Sequence, residues 1–142
     1  MADLEYGFVS GRDLQGVRVR VRLPDRDGVE SFWLQVPQRH TRHSMSRPLL
    51  PELGEQVAVL LDDDGVGGVV LGGVYSTANP PPVVDDDKEV VRFSDGTEVS
   101  YDRTSSALDV QCVGSVRMVA AKTIALQAGE SITLTAPRID LN

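Results

Sequence analysis

A chain of 142 residues is long enough for one ordinary domain or for a small domain with an appendage. Its net charge of −7 argues against a partner held mainly through phosphate contacts. The single cysteine, Cys112, excludes an internal disulfide and any CxxC-type zinc site, and its setting favours a buried structural thiol over a reactive one. No amino-terminal signal peptide is evident, and no apolar run nears the ~18 residues that cross a bilayer, so the chain is expected to be soluble when made.

From the amino terminus, Gly7-Phe8-Val9 predicts a first strand that is broken by Gly11-Arg12-Asp13. Val17-Arg18-Val19-Arg20-Val21-Arg22-Leu23 alternates without a fault, with apolar residues on one face of a second strand and arginines on the other. Pro24–Gly28 is a turn, and Glu30–Val36 returns as a third strand carrying Phe32 and Trp33. Residues 37–54 are rich in Arg, His, Ser and Pro, lack a helical period, and read as an extended loop crossing the barrel. Gln56–Leu61 predicts a fourth strand, Asp62-Asp63-Asp64-Gly65 a turn, and Gly68–Tyr75 a fifth strand. Five strands with one long joint between the third and fourth fit a closed OB-type barrel over residues 1–77, in which closure hides the sheet edges.

Asn79-Pro80-Pro81-Pro82 is a stiff polyproline segment, and Asp85-Asp86-Asp87 reads as a solvated hinge. Together they place a linker at 78–88. Beyond it, Val90–Phe93 and Thr97–Tyr101 flank Ser94-Asp95-Gly96, a hairpin signal.

In the last third, pairs of apolar residues recur on a period of eight: Leu108/Val110, Val116/Met118, Ile124/Leu126 and Ile132/Leu134, with Ile139/Leu141 one residue early. Each pair is spaced i, i+2 and so marks one face of a short strand. Turn-like dipeptides separate them at Gly114-Ser115, Lys122-Thr123, Glu130-Ser131 and Pro137-Arg138, and small residues follow the pairs at Cys112, Ala120, Ala128 and Ala136. All aromatic rings lie before position 102, which suits a thin structure with a narrow interior in the last 41 residues. A strand-turn unit with two large inward residues cannot enclose a core alone; it needs copies of itself.

Chemistry is sparse. His40 and His43, beside Arg39, Arg42 and Arg47, lack a third metal ligand, and the arginines oppose a cation. That cluster, with the stripe of Arg18, Arg20 and Arg22, could grip nucleic acid, but the acidic chain and its few aromatics favour a solvated or subunit-facing wall. Ser44 beside His43 is no triad, Gly65-Val66-Gly67-Gly68 lacks the Lys-Ser/Thr of a phosphate loop, and Asp62-Asp63-Asp64 lacks calcium-loop spacing. No catalytic residue, metal site or cofactor is assigned.

The ordered series of motifs resembles the bacteriophage baseplate assembly protein V family, the central spike of contractile tails, to which type VI secretion spikes are related. The likeness is carried by Gly16–Val21, Phe32-Trp33-Leu34, Pro51–Val57, Val70–Ser76, Asn79–Pro82 and Arg92–Thr97, followed by the octads. It covers nearly the whole chain. It implies an all-β homotrimer, with an OB barrel toward the tail tube and hub and an intertwined triple-stranded β-helix over 89–142 pointing at the target cell. The trimer core would be Leu108, Val110, Cys112, Val116, Met118, Ile124, Leu126, Ile132, Leu134, Ile139 and Leu141. Arg18, Arg20 and Arg22 are the candidate hub or subunit contact.

The implied partners are baseplate hub and tail tube proteins and, transiently, the host outer membrane; nucleic acid is not expected. The implied place is the virion tail baseplate, after synthesis in the host cytoplasm. Some family members close with a His-x-His pair that binds iron, which Asp140-Leu141-Asn142 does not supply. Either a last segment has been removed, or a PAAR-type tip protein caps the shaft. Two other classes compete: an OB-fold single-stranded nucleic-acid-binding protein with a β-solenoid oligomerisation tail, and a tail lysozyme, which would need an inserted domain that the sequence lacks.

Overall fold

The computed structural model describes residues 2–42, 47–64 and 67–142. The chain divides into two compact units, Met1–Val84 and Asp85–Asn142. Among the described residues both are built from strands, with no α-helix.

In the first unit the strands are β1 (Asp3–Asp13), β2 (Arg18–Leu23), β3 (Val29–Glu30), β4 (Leu34–Gln35), β5 (Gln56–Leu61) and β6 (Gly68–Gly73). β1 is long enough to serve two neighbours. Residues 3–8 pair antiparallel with β5, and residues 8–13 pair antiparallel with β2. β2 passes to β4, β4 runs parallel to β6, and β6 returns antiparallel to β5. The ring β1-β2-β4-β6-β5 is therefore closed, in the strand order of an OB barrel.

Period-two alternation fills it. Val19, Val21 and Leu23 of β2, Val57, Val59 and Leu61 of β5, and Val9, Leu34 and Val70 form one buried core. Branched side chains suit this geometry, because their restricted χ1 angles match a pleated wall.

Two expected boundaries move, each for a local reason. β1 does not end at Gly11. The register slips between Val9 and Gly11, and pairing with β2 then continues to Asp13. Gly7 marks the crossing of the two strands, where any Cβ would strike the Val21 side chain and the Arg22 carbonyl.

The expected third strand is split at Ser31–Trp33 into β3 and β4. Ser31 is buried there. Its amide donates to the Val21 carbonyl (2.8 Å), and its hydroxyl accepts from the Val21 amide (2.9 Å) and donates to the Phe32 carbonyl (2.8 Å). A side-chain oxygen thus replaces a main-chain acceptor across the interruption, so the buried Val21 amide keeps a partner.

The long connection is pinned at its neck. Gln38 donates to the carbonyls of Val36 (2.9 Å) and Leu49 (2.8 Å) and accepts from the Leu49 amide (2.6 Å). Arg12 donates to the Pro51 carbonyl at 2.8 Å.

The second unit opens with a three-stranded antiparallel sheet of β7 (Lys88–Arg92), β8 (Glu98–Asp102) and β9 (Ala107–Gln111). The expected hairpin forms, closed by the Phe93 amide on the Thr97 carbonyl (2.8 Å), with Gly96 at φ +96°.

Asp87 does more than line a solvated hinge. Its carboxylate accepts from Arg103 (2.7 Å to Nη2) and Thr104 (3.2 Å), and its carbonyl accepts the Arg103 amide (2.8 Å). It thereby ties the β8–β9 turn to the start of β7. From Cys112 onward the chain is extended, with bends at 113–114, 121–122, 129–130 and 137. The eightfold repeat is thus a repeat of bends as well as of side chains. The first three bends begin one residue ahead of the turn dipeptides expected from composition, and the last begins on Pro137 as expected.

Candidate functional site

Two surfaces bear on function, one in each unit. On the barrel, β2 alternates its side chains so that Arg18, Arg20 and Arg22 share the outer face. They are engaged within the barrel. Arg18 pairs with Asp13 at 2.7 Å, Arg20 with Glu30 at 2.9 Å, and Arg22 with Glu30 at 3.7 Å, while Arg22 also donates to the Gly28 carbonyl at 3.0 Å.

The Trp33 ring lies beneath two of these guanidinium groups, 5.7 Å from Arg18 and 4.9 Å from Arg20, as cation–π geometry requires. The hydrogen bond from Arg18, and next that from the Gly16 amide, hold the Asp13 carboxyl below the usual carboxylate range. Glu30 is lowered in the same sense by Arg20 and then by the Ser10 hydroxyl. The basic stripe seen in the sequence is therefore a ladder of ion pairs clamping β1, β2 and β3, in which two carboxylates offset most of the charge of three arginines. The acids were not legible as partners, because Glu30 lies ten residues from Arg20 and meets it only through strand pairing.

A groove of about 340 Å³ runs between the long connection and β6, lined by Val36, Leu49, Leu50, Val70 and Leu71, with Glu55 its one titratable group. It holds no nucleophile beside a base. Arg39, His40 and Arg42 are exposed, while His43 and Ser44 lie outside the described residues, as do Gly65 and Val66. Among the described residues, no group of three or more His, Cys, Asp or Glu side chains stands ready for a metal.

The second surface is apolar. No residue of the second unit is buried. Val116, Met118, Ile124, Leu126, Ile132, Leu134, Ile139 and Leu141 are 48–86% exposed, and Cys112 is exposed with its thiol 3.5 Å from the Ser115 carbonyl. Among the described residues, 114–142 pair with no strand of their own chain and make no backbone-to-backbone hydrogen bond.

The first apolar pair differs from the rest. Leu108 and Val110 belong to β9, opposite Tyr101 and Val99, and Val91 lies opposite Val99. Since residues facing across a ladder point to one side of the sheet, Val91, Val99, Tyr101, Leu108 and Val110 make one exposed apolar face. Val91, Val99 and Tyr101 were missed as members of this surface. The i, i+2 spacing of Val99 and Tyr101 was the available signal.

Comparison with known proteins supplies the context. No family model matches the chain. Over 139 residues, 94% of this chain, the sequence is 34% identical to the Spike protein of Escherichia phage P2. The chain spans 58% of that relative's length.

Proposed function

Since the chain is 34% identical over 94% of its length to a phage Spike protein, we propose that it belongs to the baseplate assembly protein V family of contractile tails and that three copies form a rigid central spike. This spike sits in the tail baseplate and is driven through the host envelope when the sheath contracts. The observation that carries the reading is the tail at 112–142. It has apolar pairs on an eightfold repeat of bends, all exposed, in a segment that from residue 114 onward makes no backbone-to-backbone hydrogen bond among the described residues of the chain.

Extended backbone cannot leave its N–H and C=O groups unpaired in a dry interior, so the partner must be another strand. Three chains winding together supply one. Each octad then gives one strand per layer and turns its two large residues to the axis. The four pairs of the tail give four such layers, which at about 4.8 Å each make a shaft of about 19 Å beyond β9. Each apolar side chain so buried contributes roughly 1.5–3 kcal/mol, nearly all of it present only in the trimer. A closed prism without free edges has little slack to bend, which is what axial loading demands.

The role is structural, with no catalysis and no cofactor in it. The barrels face the tail tube and hub, and contact with the host outer membrane is transient. Synthesis takes place in the host cytoplasm. The deciding experiment is the absolute mass in solution by light scattering on a sizing column. Three times 15.4 kDa, surviving dilution, is expected. A monomer at 15.4 kDa with the octads intact overturns the reading.

A further inference from the structure

The charged residues of the tail repeat with the same period as its bends. Lys122 closes the bend at 121–122, Glu130 closes the bend at 129–130, and Arg138 follows the bend at Pro137. Asp109 and Arg117, also eight apart, are again of opposite sign. Every pair of charged residues spaced i, i+8 between 107 and 142 is therefore opposite in sign. Arg138 has a partner in its own chain, Asp140 at 3.0 Å. Among the described residues, Lys122 and Glu130 have no ion pair within the chain.

Threefold winding gives this pattern a consequence. By symmetry the same octad of each chain occupies one layer, one on each side of the prism. The next octad of every chain then lies one side further round and one layer further along. Whatever stands at position i of one chain is thus followed along the same edge by position i+8 of its neighbour, at the strand spacing of about 4.8 Å. Within a single chain the same two positions are separated by one straight segment, about 26 Å at 3.3 Å per residue and far beyond the screening length of physiological salt.

We propose that Lys122 of one copy pairs with Glu130 of the next, and that the alternating corner charges set the stagger of the three chains. The inference rests on the trimeric reading. The apolar pairs alone do not fix the stagger: Val116/Met118, Ile124/Leu126 and Ile132/Leu134 are near-equivalent, so a slip of one whole octad keeps apolar facing apolar. A slip of that size brings Lys122 of one chain level with Glu130 of another and stacks like charges along an edge. Like charges disfavour it, as charged flanking positions do in coiled coils.

The test is a double-mutant cycle on the full chain with Lys122→Glu, Glu130→Lys and the exchange of both. Thermal melting of the oligomer is followed at low salt and at 1 M salt, and the mass of each variant by light scattering. Each single reversal is expected to lower the melting midpoint by about 5 °C at low salt. The exchange should recover a good part of that loss, and high salt should erase the difference. Should a charge reversal prevent purification, the neutral pair Lys122→Gln and Glu130→Gln completes the same cycle. Additive losses in variants that remain trimers overturn this inference and leave the spike reading standing. A monomeric wild type overturns both.

Discussion

The barrel and the tail use the same strand chemistry and reach opposite ends. In the first unit five strands close on themselves, and nine apolar residues disappear into a core that the chain provides alone. In the second unit 58 residues bury none of their number. The difference lies in the connections. Long, bulged β1 reaches two neighbours, so a ring can close within one copy. Octads with a bend every eight residues never return to pair with themselves. One region is therefore a complete fold, and the other, in the proposed trimer, is part of a fold whose remainder sits on identical chains.

The sharpest way to break that contrast is to charge the axis. Ile124→Asp or Leu134→Asp would bring three carboxylates together without partners, and burying even one unpaired charge is prohibitive. The expected result is complete loss of the trimer, with the mass falling to 15.4 kDa, while the barrel stays folded. The single tryptophan, Trp33, lies in the barrel, so its fluorescence follows that unit alone. A full-strength trimer from either variant would show that the assigned inward register is wrong.

The reciprocal experiment removes core from the barrel. Leu34 is fully buried where β4 joins β2 to β6, and Leu34→Ala should cost about 2–5 kcal/mol. Denaturation followed by Trp33 should shift to lower denaturant while light scattering still returns three times 15.4 kDa. Loss of the trimer along with the barrel would mean that the second unit depends on the first.

Much of this division could be read from residues. The alternation of Val19, Val21 and Leu23 against three arginines located β2 and its faces, and the Gln56–Leu61 strand stands where its pattern put it. What could not be read was tertiary pairing. Gly11 looks like a strand breaker and is instead accommodated beside a register slip. Ser31 looks like an ordinary strand residue, but its hydroxyl bridges a gap in the ladder. The arginine stripe was read as a solvated or subunit-facing wall, and its partners Asp13 and Glu30 were not legible because they reach it only through folding. Asp87 looked like one of three equal acids until the β8–β9 turn came back to it. In the tail, the period of eight was plain, yet Leu108 and Val110 were grouped with the octads although β9 pairs them with β8. Periodicity reports which face a side chain shares, and not which strand lies next to it.

Ser31 allows a finer test of the claim that the barrel is self-sufficient. Ser31→Ala removes the acceptor of the Val21 amide inside the core and should destabilise the barrel by about 1–2 kcal/mol. Trp33-detected unfolding measures it, and the trimer mass should not change. An unaltered midpoint would mean that a rearranged β3–β4 junction satisfies the amide without the hydroxyl.

The smallest expected effect separates the two units by pH. Asp13 and Glu30 carry folded pKa values depressed first by Arg18 and Arg20 respectively, so their protons bind the unfolded chain more readily. Their stabilisation is therefore full above the ordinary carboxylate range of about 4 and is lost as pH falls through the lowered folded values. Both side chains remain partly exposed, at 26% and 33%, so solvent screening keeps the contribution modest. The barrel's melting midpoint should be flat above about pH 5 and decline below about pH 4, with a shallower decline in Asp13→Asn/Glu30→Gln. The tail's apolar pairs carry no titratable group, and the proposed Lys122–Glu130 pair sets stagger and not association, so the mass should still read as a trimer where the barrel has begun to weaken. A barrel midpoint that ignores pH between 3 and 5 would show that the arginine ladder contributes nothing to stability, and the clamp on β1, β2 and β3 would then rest on Trp33 packing alone.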